Sequence, residues 1–173
     1  MASILEQHGI TVKVELPAVG ENLQDQPNTN LIFSTNTTFN GSIVYVAYGA
    51  MHDFFQDWDK NFDVRAYAKT VSTAISNAIP ASSLEYLFDI QYKLLQQGVP
   101  NAETIIETTL NIGLGPSNLL LAPFWLLMPF SRGNVHITSA DPNVYPAINP
   151  NFFLIEFDTH NYKYKTKEHD ALL

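Results

Sequence analysis

The apolar positions along the chain change period several times, and each change marks a different element. From residue 63 the spacing is helical: Val64, Tyr67, Ala68, Val71, Ala74, Ile75 and Ala78 share one face of an α-helix. Asp63 stands where a side-chain oxygen can accept from a first-turn N–H, and Pro80 closes the run. A second helix follows. Ser82 and Glu85 have the spacing of a capping box, and Leu84, Leu87, Phe88, Leu94 and Leu95 supply its apolar face. Gly98 and Pro100 end it.

Elsewhere the period is two, or the apolar run is continuous. Val12, Val14 and Leu16 alternate with Lys13 and Glu15, which predicts a short strand ended by Pro17. Residues 18–30 hold Gly, Pro and several Asn and read as a loop, after which Leu31-Ile32-Phe33 opens a strand. Residues 104–112 are rich in Thr and Ile and predict another strand, followed by a turn at Gly113-Leu114-Gly115-Pro116. Residues 122–130 read as a buried strand, and Val135-His136-Ile137-Thr138 as a strand entered through Gly133. Asp141-Pro142 and Asn149-Pro150 are turns. Residues 3–8 end a helix with Gly9 behind it, and a last helix is expected from near Asn151. Strands are scattered among helices without a βαβ rhythm. That predicts an α+β fold, helices packed on a mostly antiparallel sheet.

Composition narrows the partners. The 173 residues suffice for one ordinary domain, and 46% hydrophobic content permits a real core. Charged residues make up only 15%, so Ser, Thr, Asn and Gln must cover much of the surface. The net charge of −8 argues against nucleic acid or an anionic membrane as a partner. The absence of cysteine excludes disulfides, thiolate metal sites and cysteine nucleophiles. No apolar run is long enough to span a bilayer. The first residues lack the basic and apolar regions of a signal peptide, so the signal of a secreted parent is expected upstream. Asn36-Thr37-Thr38 and Asn40-Gly41-Ser42 are sequons, which in a secreted protein mark Asn36 and Asn40 as glycan acceptors on surface loops.

Four segments, taken in order, carry a resemblance. The first runs from Ile4-Leu5-Glu6 through Gly9-Ile10 to Val14-Glu15-Leu16-Pro17, and the second is Val19-Gly20-Glu21-Asn22-Leu23-Gln24-Asp25-Gln26. The third runs from Trp125 through Pro129-Phe130-Ser131-Arg132-Gly133-Asn134-Val135-His136-Ile137. The fourth holds Asp141-Pro142, Asn149-Pro150-Asn151-Phe152-Phe153-Leu154 and Glu156-Phe157-Asp158. With these motifs the chain resembles an internal piece of the glucose-methanol-choline (GMC) flavoprotein oxidoreductases of the fungal glucose oxidase type. Residues 35–120 match only in their helix and strand pattern.

The resemblance implies an FAD-dependent enzyme that moves a hydride from an alcohol or sugar CH–OH group to flavin, in an extracellular parent protein. It divides the chain into residues 1–27, a remnant of an FAD-binding domain with a linking loop, residues 28–158, a substrate-binding domain, and a polar tail over 159–173. It places Trp125 on the wall of a sugar pocket, where an indole face stacks on a sugar and its N–H donates to a hydroxyl. The competing reading of Trp125 is a core tryptophan in an apolar run. Gly20 to Asp25 reads first as architecture, a permissive backbone with Asn and Asp bonding to nearby main chain. In the family this loop joins the two domains, so Asn22 and Asp25 lie near the cofactor. Ser131-Arg132-Gly133 is expected to be structural, with the five donors of Arg132 tying loop carbonyls and carboxylates together.

No residue here is expected to perform the chemistry. The histidines are His8, His52, His136, His160 and His169, and none stands in the family's catalytic motif, which follows the last segment matched. The G-x-G-x-x-G turn that would cradle the FAD pyrophosphate is missing; Gly113 and Gly115 run into Pro116. His52-Asp53 and Asp57-x-Asp59 read as a solvated face and not as metal ligands. By itself the chain is expected to be inactive. The alternative is a non-catalytic remnant or a stand-alone domain that binds a small ligand.

Overall fold

The computed structural model describes residues 2–54 and 58–159. Asp57, His160, His169 and the rest of the polar tail beyond Thr159 therefore lie outside the described residues. The elements are α1 (Ala2–Gln7), β1 (Glu21–Leu23), β2 (Asn28–Phe39), β3 (Val44–Gly49), α2 (Met51–Phe54), α3 (Val64–Ala74) and α4 (Ala81–Gln96). Then come β4 (Ala102–Thr108), a 3-10 turn at Thr109–Ile112, β5 (Ser117–Leu126), β6 (Gly133–His136) and β7 (Ala147–Asn149). The fold is α+β, and every strand pairing is antiparallel.

The chain divides into two compact units, each assembled from separated stretches. The first takes Met1–Asp25, Phe62–Tyr92 and Pro129–Thr159; the second takes Gln26–Asn61 and Lys93–Met128. A three-stranded sheet ordered β1-β6-β7 belongs to the first, and a four-stranded sheet ordered β2-β5-β4-β3 to the second.

Aromatic rings dominate the core of the first unit. Phe62 stacks on Tyr92 with centroids 4.4 Å apart and meets Phe130 and Phe157 edge-on at 5.0 and 4.8 Å. Phe88 meets Phe130 edge-on at 5.2 Å. Offset and edge-to-face contacts of this kind add to the burial energy of the rings, by about 0.5–1.5 kcal/mol per pair. Tyr67 lies against the same cluster, and burial pushes its hydroxyl up to about 12.

Asp63 caps α3 as the sequence predicts, its carboxylate accepting from the Ala66 N–H at 3.0 Å, a cap worth about 1 kcal/mol. The helix stops at Ala74, however, short of Ala78. Ser76 and Asn77 both adopt positive φ, and Ser72 Oγ turns back to the Ile79 carbonyl at 2.8 Å. Helix α4 begins at Ala81, one residue before the expected cap, with the Pro80 carbonyl accepting from Ser83 and Leu84. Ser82 thus sits inside the first turn, where no capping box can form. Its buried stripe is Leu84, Phe88, Gln91 and Leu95; Leu87 and Leu94 lie more than a third exposed. Gly98 follows the helix at φ +80.

Other expectations fail for identifiable reasons. Residues 12–16 form no strand, and Val14 and Leu16 are exposed, because no described strand offers them a ladder. Alternation alone cannot make a strand without a partner. Residues 18–30 are not simply loop. They hold β1, pulled into a ladder by β6 across Glu21–Asn134, and the start of β2. The strand expected at 104–112 starts at Ala102 and gives way to the 3-10 turn after Thr108, and β5 occupies 117–126 instead of 122–130. No helix starts at Asn151, since Asn151 and Phe153 take positive φ; helical residues begin at 156. Asn149 closes β7 and is not a free turn residue.

Candidate functional site

The register of the four-stranded sheet builds the site. Residues directly opposite one another in neighbouring strands share a face. Trp125 on β5 stands opposite Asn28 on β2 and opposite Glu103 on β4, and Glu103 stands opposite Tyr48 on β3. The four therefore form one row across all four strands. Four residues along β5, Leu121 begins a parallel row with Ile32, Glu107 and Val44 on the same face. The opposite face of the sheet carries Ala102, Ala122, Phe124 and Leu126, all buried. The Trp125 face is the open one: Trp125 and Glu103 are half-buried, and Ile32, Val44, Val46 and Tyr48 are exposed.

Trp125 is thus neither sealed in a core nor fully in water. Its flanking carboxylate is held in place, because the Tyr48 hydroxyl donates to Glu103 Oε1 at 3.1 Å. That hydrogen bond and the carboxylate's charge raise the Tyr48 phenol above its usual 10. The sign follows directly. The folded chain keeps the proton at pH values where the unfolded chain loses it, so this contribution is present below about pH 10 and fades as pH rises further. Glu103→Gln is expected to bring Tyr48 back towards an ordinary phenol, read by ¹³C-tyrosine NMR across an alkaline titration. An unchanged Tyr48 midpoint would refute the coupling.

An indole face, a phenol and two carboxylates, Glu103 and Glu107, on one open surface suit a small polyhydroxylated or aromatic alcohol. Flat rings take its C–H face, and carboxylate oxygens accept from its hydroxyls. Sequence reasoning picked Trp125 alone. Tyr48 and Glu103 lie far from it along the chain, and the only signal for them was the run Val44-Tyr45-Val46-Ala47-Tyr48, rich in β-branched and aromatic residues.

Most of the other motif residues sit in the first unit, where hydrogen bonds tie the motifs together. Arg132 is buried, and its guanidinium donates to the Pro129 carbonyl at 2.6 Å, the Ser131 carbonyl at 2.9 Å and Gln91 Oε1 at 3.1 Å. The guanidinium carbon lies 5.1 Å from the centre of the Phe88 ring. Burial lowers Arg132 to about 10 although Asp158 opposes the shift. Asp158 in turn accepts from the Phe130 and Ser131 N–H groups at 2.9 and 2.7 Å. Its own burial pushes it above the usual carboxylate range, against these donors and Arg132. The Pro-Phe-Ser-Arg-Gly and Glu-Phe-Asp motifs are two halves of one clamp.

The Gly20 to Asp25 loop is held by β6. The Val135 N–H donates to the Gly20 carbonyl at 2.7 Å, and His136 Nε2 meets Glu21 Oε1 at 2.7 Å. Gly20 has φ +84 and packs so closely on Val135 and His136 that a side chain has no room there. Asn22 adopts φ +65, and its Oδ1 is buried without a hydrogen-bond partner; Asp25 is exposed. His136 is thereby a brace between loop and strand. Asn36 and Asn40 are exposed, the first on β2 and the second just after it. His52 pairs with Asp53 at 3.5 Å in the open.

A flavin dinucleotide needs a ring of backbone N–H groups at a Gly-rich strand-to-helix turn. Among the described residues no such turn is present. Asn22 offers a single unpaired acceptor, which does not amount to a pyrophosphate cradle. Among the described residues no group of three or more His, Cys, Asp or Glu could hold a metal ion, and no helix is long and apolar enough to cross a membrane.

No family model matches the chain. Individual relatives do. A glucose oxidase-like protein of Humicola fuscoatra is 33% identical over 87% of this chain and 26% of its own length. A GMC oxidoreductase family protein of Malassezia sympodialis is 29% identical over 90% of this chain and 27% of its own. Among solved structures, an FAD-dependent oxidoreductase from Chaetomium thermophilum superposes with a TM-score of 0.63 at 19% identity, over 96% of this chain and 33% of that one. At that identity the match speaks for the fold. The chain spans about a quarter of the length of the relatives it matches. From motifs, fold and relatives together, this chain belongs to the glucose-methanol-choline family of FAD-dependent oxidoreductases, in its glucose oxidase-like branch.

Proposed function

We propose that this chain supplies the substrate-binding wall of an enzyme that oxidises a small alcohol or sugar at a CH–OH group, the hydride passing to FAD. One observation carries the reading: Trp125, Glu103 and Tyr48 form a single row on the open face of the four-stranded sheet. FAD would supply the hydride acceptor. In this chain Trp125 orients the substrate by stacking, and Glu103, fixed by Tyr48, accepts from a substrate hydroxyl. Residues 28–158 are the substrate-binding domain in this reading, residues 1–27 belong to the edge of the FAD-binding domain, and the parent protein is extracellular. Without the phosphate cradle and a catalytic base, the chain alone binds no FAD and turns over no alcohol.

A second reading is a stand-alone binding domain, favoured by the completeness of the Trp125 row within one compact unit. Two measurements on the purified chain separate the readings. Flavin absorbance, near about 450 nm, reports whether the chain holds the cofactor. Tryptophan fluorescence in a Trp58→Phe background, titrated with glucose and with benzyl alcohol, reports ligand at Trp125. The expected result is a colourless protein whose fluorescence responds at millimolar ligand, about 4 kcal/mol of binding. The response should vanish in Glu103→Ala. A micromolar response without flavin would favour the binding domain. A yellow preparation that oxidises alcohols, or no response to either ligand, would sink the proposed role.

A further inference from the structure

The Asn36 sequon lies on β2, at one edge of the four-stranded sheet, and the Asn40 sequon lies in the connection from β2 to β3. In the β2–β5 ladder Ser34 pairs with Leu119 and Phe39 with Ser117, so residues 35–38 stand against Asn118 alone. The extra residues must bulge outward. Thr35 and Asn118 pin the base of the bulge: Thr35 Oγ1 donates to the Asn118 carbonyl at 3.2 Å, and Asn118 Nδ2 donates to the Thr35 carbonyl at 3.0 Å. Thr35 Oγ1 also accepts from the Thr37 N–H at 3.4 Å and lies 2.8 Å from the Thr37 carbonyl oxygen. Asn36, Thr37 and Thr38 are all exposed at its tip. Among the described residues neither the Asn36 amide nor the Thr38 hydroxyl is hydrogen-bonded.

Asn40 is also exposed, but its sequon is tied down. The Ser42 hydroxyl bonds to Asn111 Oδ1, whose Nδ2 donates to the Ile43 carbonyl at 2.7 Å. A sequon is read through the hydroxyl two residues past the asparagine. At Thr38 that hydroxyl is available; at Ser42 it is engaged.

We infer that Asn36 is an N-glycosylation site, carrying an oligosaccharide on the β2 bulge. The inference rests on the reading that the parent protein is exported. The transfer forms a bond from Asn36 Nδ2 to the anomeric carbon of an oligosaccharide. The bond from that carbon to a lipid diphosphate donor breaks, the lipid diphosphate leaves, and the amide loses one proton. The glycan shields an edge that bares Ile32, 60% exposed, and the outer side of the β2 ladder. Exposed edges of this kind recruit other strands unless they are covered.

The test is expression of the full 173-residue chain behind a secretory leader in yeast, with peptide amidase release in heavy-oxygen water. The label separates glycan removal from spontaneous deamidation at Asn40-Gly41. A glycan is expected on Asn36, mapped by mass spectrometry. It should be lost in Asn36→Gln and in Thr38→Val, and kept in Asn40→Gln. The absence of a glycan on Asn36 would overturn the inference. The readout involves neither flavin nor alcohol, so it stands or falls apart from the proposed substrate role.

Discussion

Arg132→Ala is expected to destabilise the isolated chain severely. Three separate carbonyl or amide oxygens lose their donor, and the buried Asp158 loses the nearby positive charge. Hydrogen bonds from a charged donor contribute roughly 1.5–3 kcal/mol each, and the three oxygens left behind are buried. Whole domains are stable by only about 5–15 kcal/mol, so such a loss is a large fraction of the total. The lost packing over Phe88 adds to the loss. Arg65→Ala is the matched control. Arg65 pairs with Glu85 at 3.3 Å with its side chain 83% exposed, so its removal should change stability by no more than about 1 kcal/mol. Urea unfolding of both variants decides the matter, and equal midpoints would refute the clamp.

The same clamp carries a pH signature. Asp158 has a folded-state pKa raised by burial, so the folded chain holds its proton where the unfolded chain has lost it. Stability from this group therefore rises as pH falls through the folded value and is lost as pH climbs from the unfolded value, about 3.9. Without Arg132 the carboxylate moves up further. The deficit of Arg132→Ala should narrow on acidification, whereas that of a purely steric variant should not.

Gly133→Ala is such a variant. A β-carbon there would run into the Asn149 carbonyl oxygen and lie 2.6 Å from Pro150 Cα. Both neighbours are backbone and cannot step aside as a side-chain end could. The cost is overpacking, roughly 3 kcal/mol at the severe end of the usual range. It falls on the β6–β7 pairing, where Asn134 stands opposite Asn149. Gly9→Ala provides the contrast: its φ is +70 but nothing lies within 4 Å, so only the left-handed backbone is penalised, by about 1–2 kcal/mol. Hydrogen exchange should show Asn134 and His136, whose amides face β7, deprotected in Gly133→Ala. Retained protection would show that the two strands can part without loss.

Local signals were legible in the sequence where a single residue type decides the backbone. Asp63 capped α3, and Gly9 and Gly98 followed α1 and α4 at positive φ. Four motifs with no shared period pointed to the family before any fold was known. What stayed hidden depends on pairing. β1, three residues long, exists only because β6 meets it, while the better alternation at 12–16 finds no partner and stays irregular. Trp125 was readable as a candidate through resemblance. Its companions were not, because cross-strand register put Glu103 and Tyr48 beside it. The role of Arg132 was foreseen from its donors, but not the identity of its partners, since Gln91 joins it across 41 residues of chain.

The interleaving of the two units has a consequence for how the chain must fold. Glu21 waits for His136, 115 residues later, and neither unit is contiguous. Loop closure over such distances is paid before the contacts that reward it, so folding is slow compared with helical domains of this size. During synthesis β1 and β2 leave the ribosome long before β5 and β6, and the bare edge of β2 is then available to other nascent chains. No simple truncation isolates either unit, and a chaperone that delays the pairing of β2 should raise the yield of folded chain.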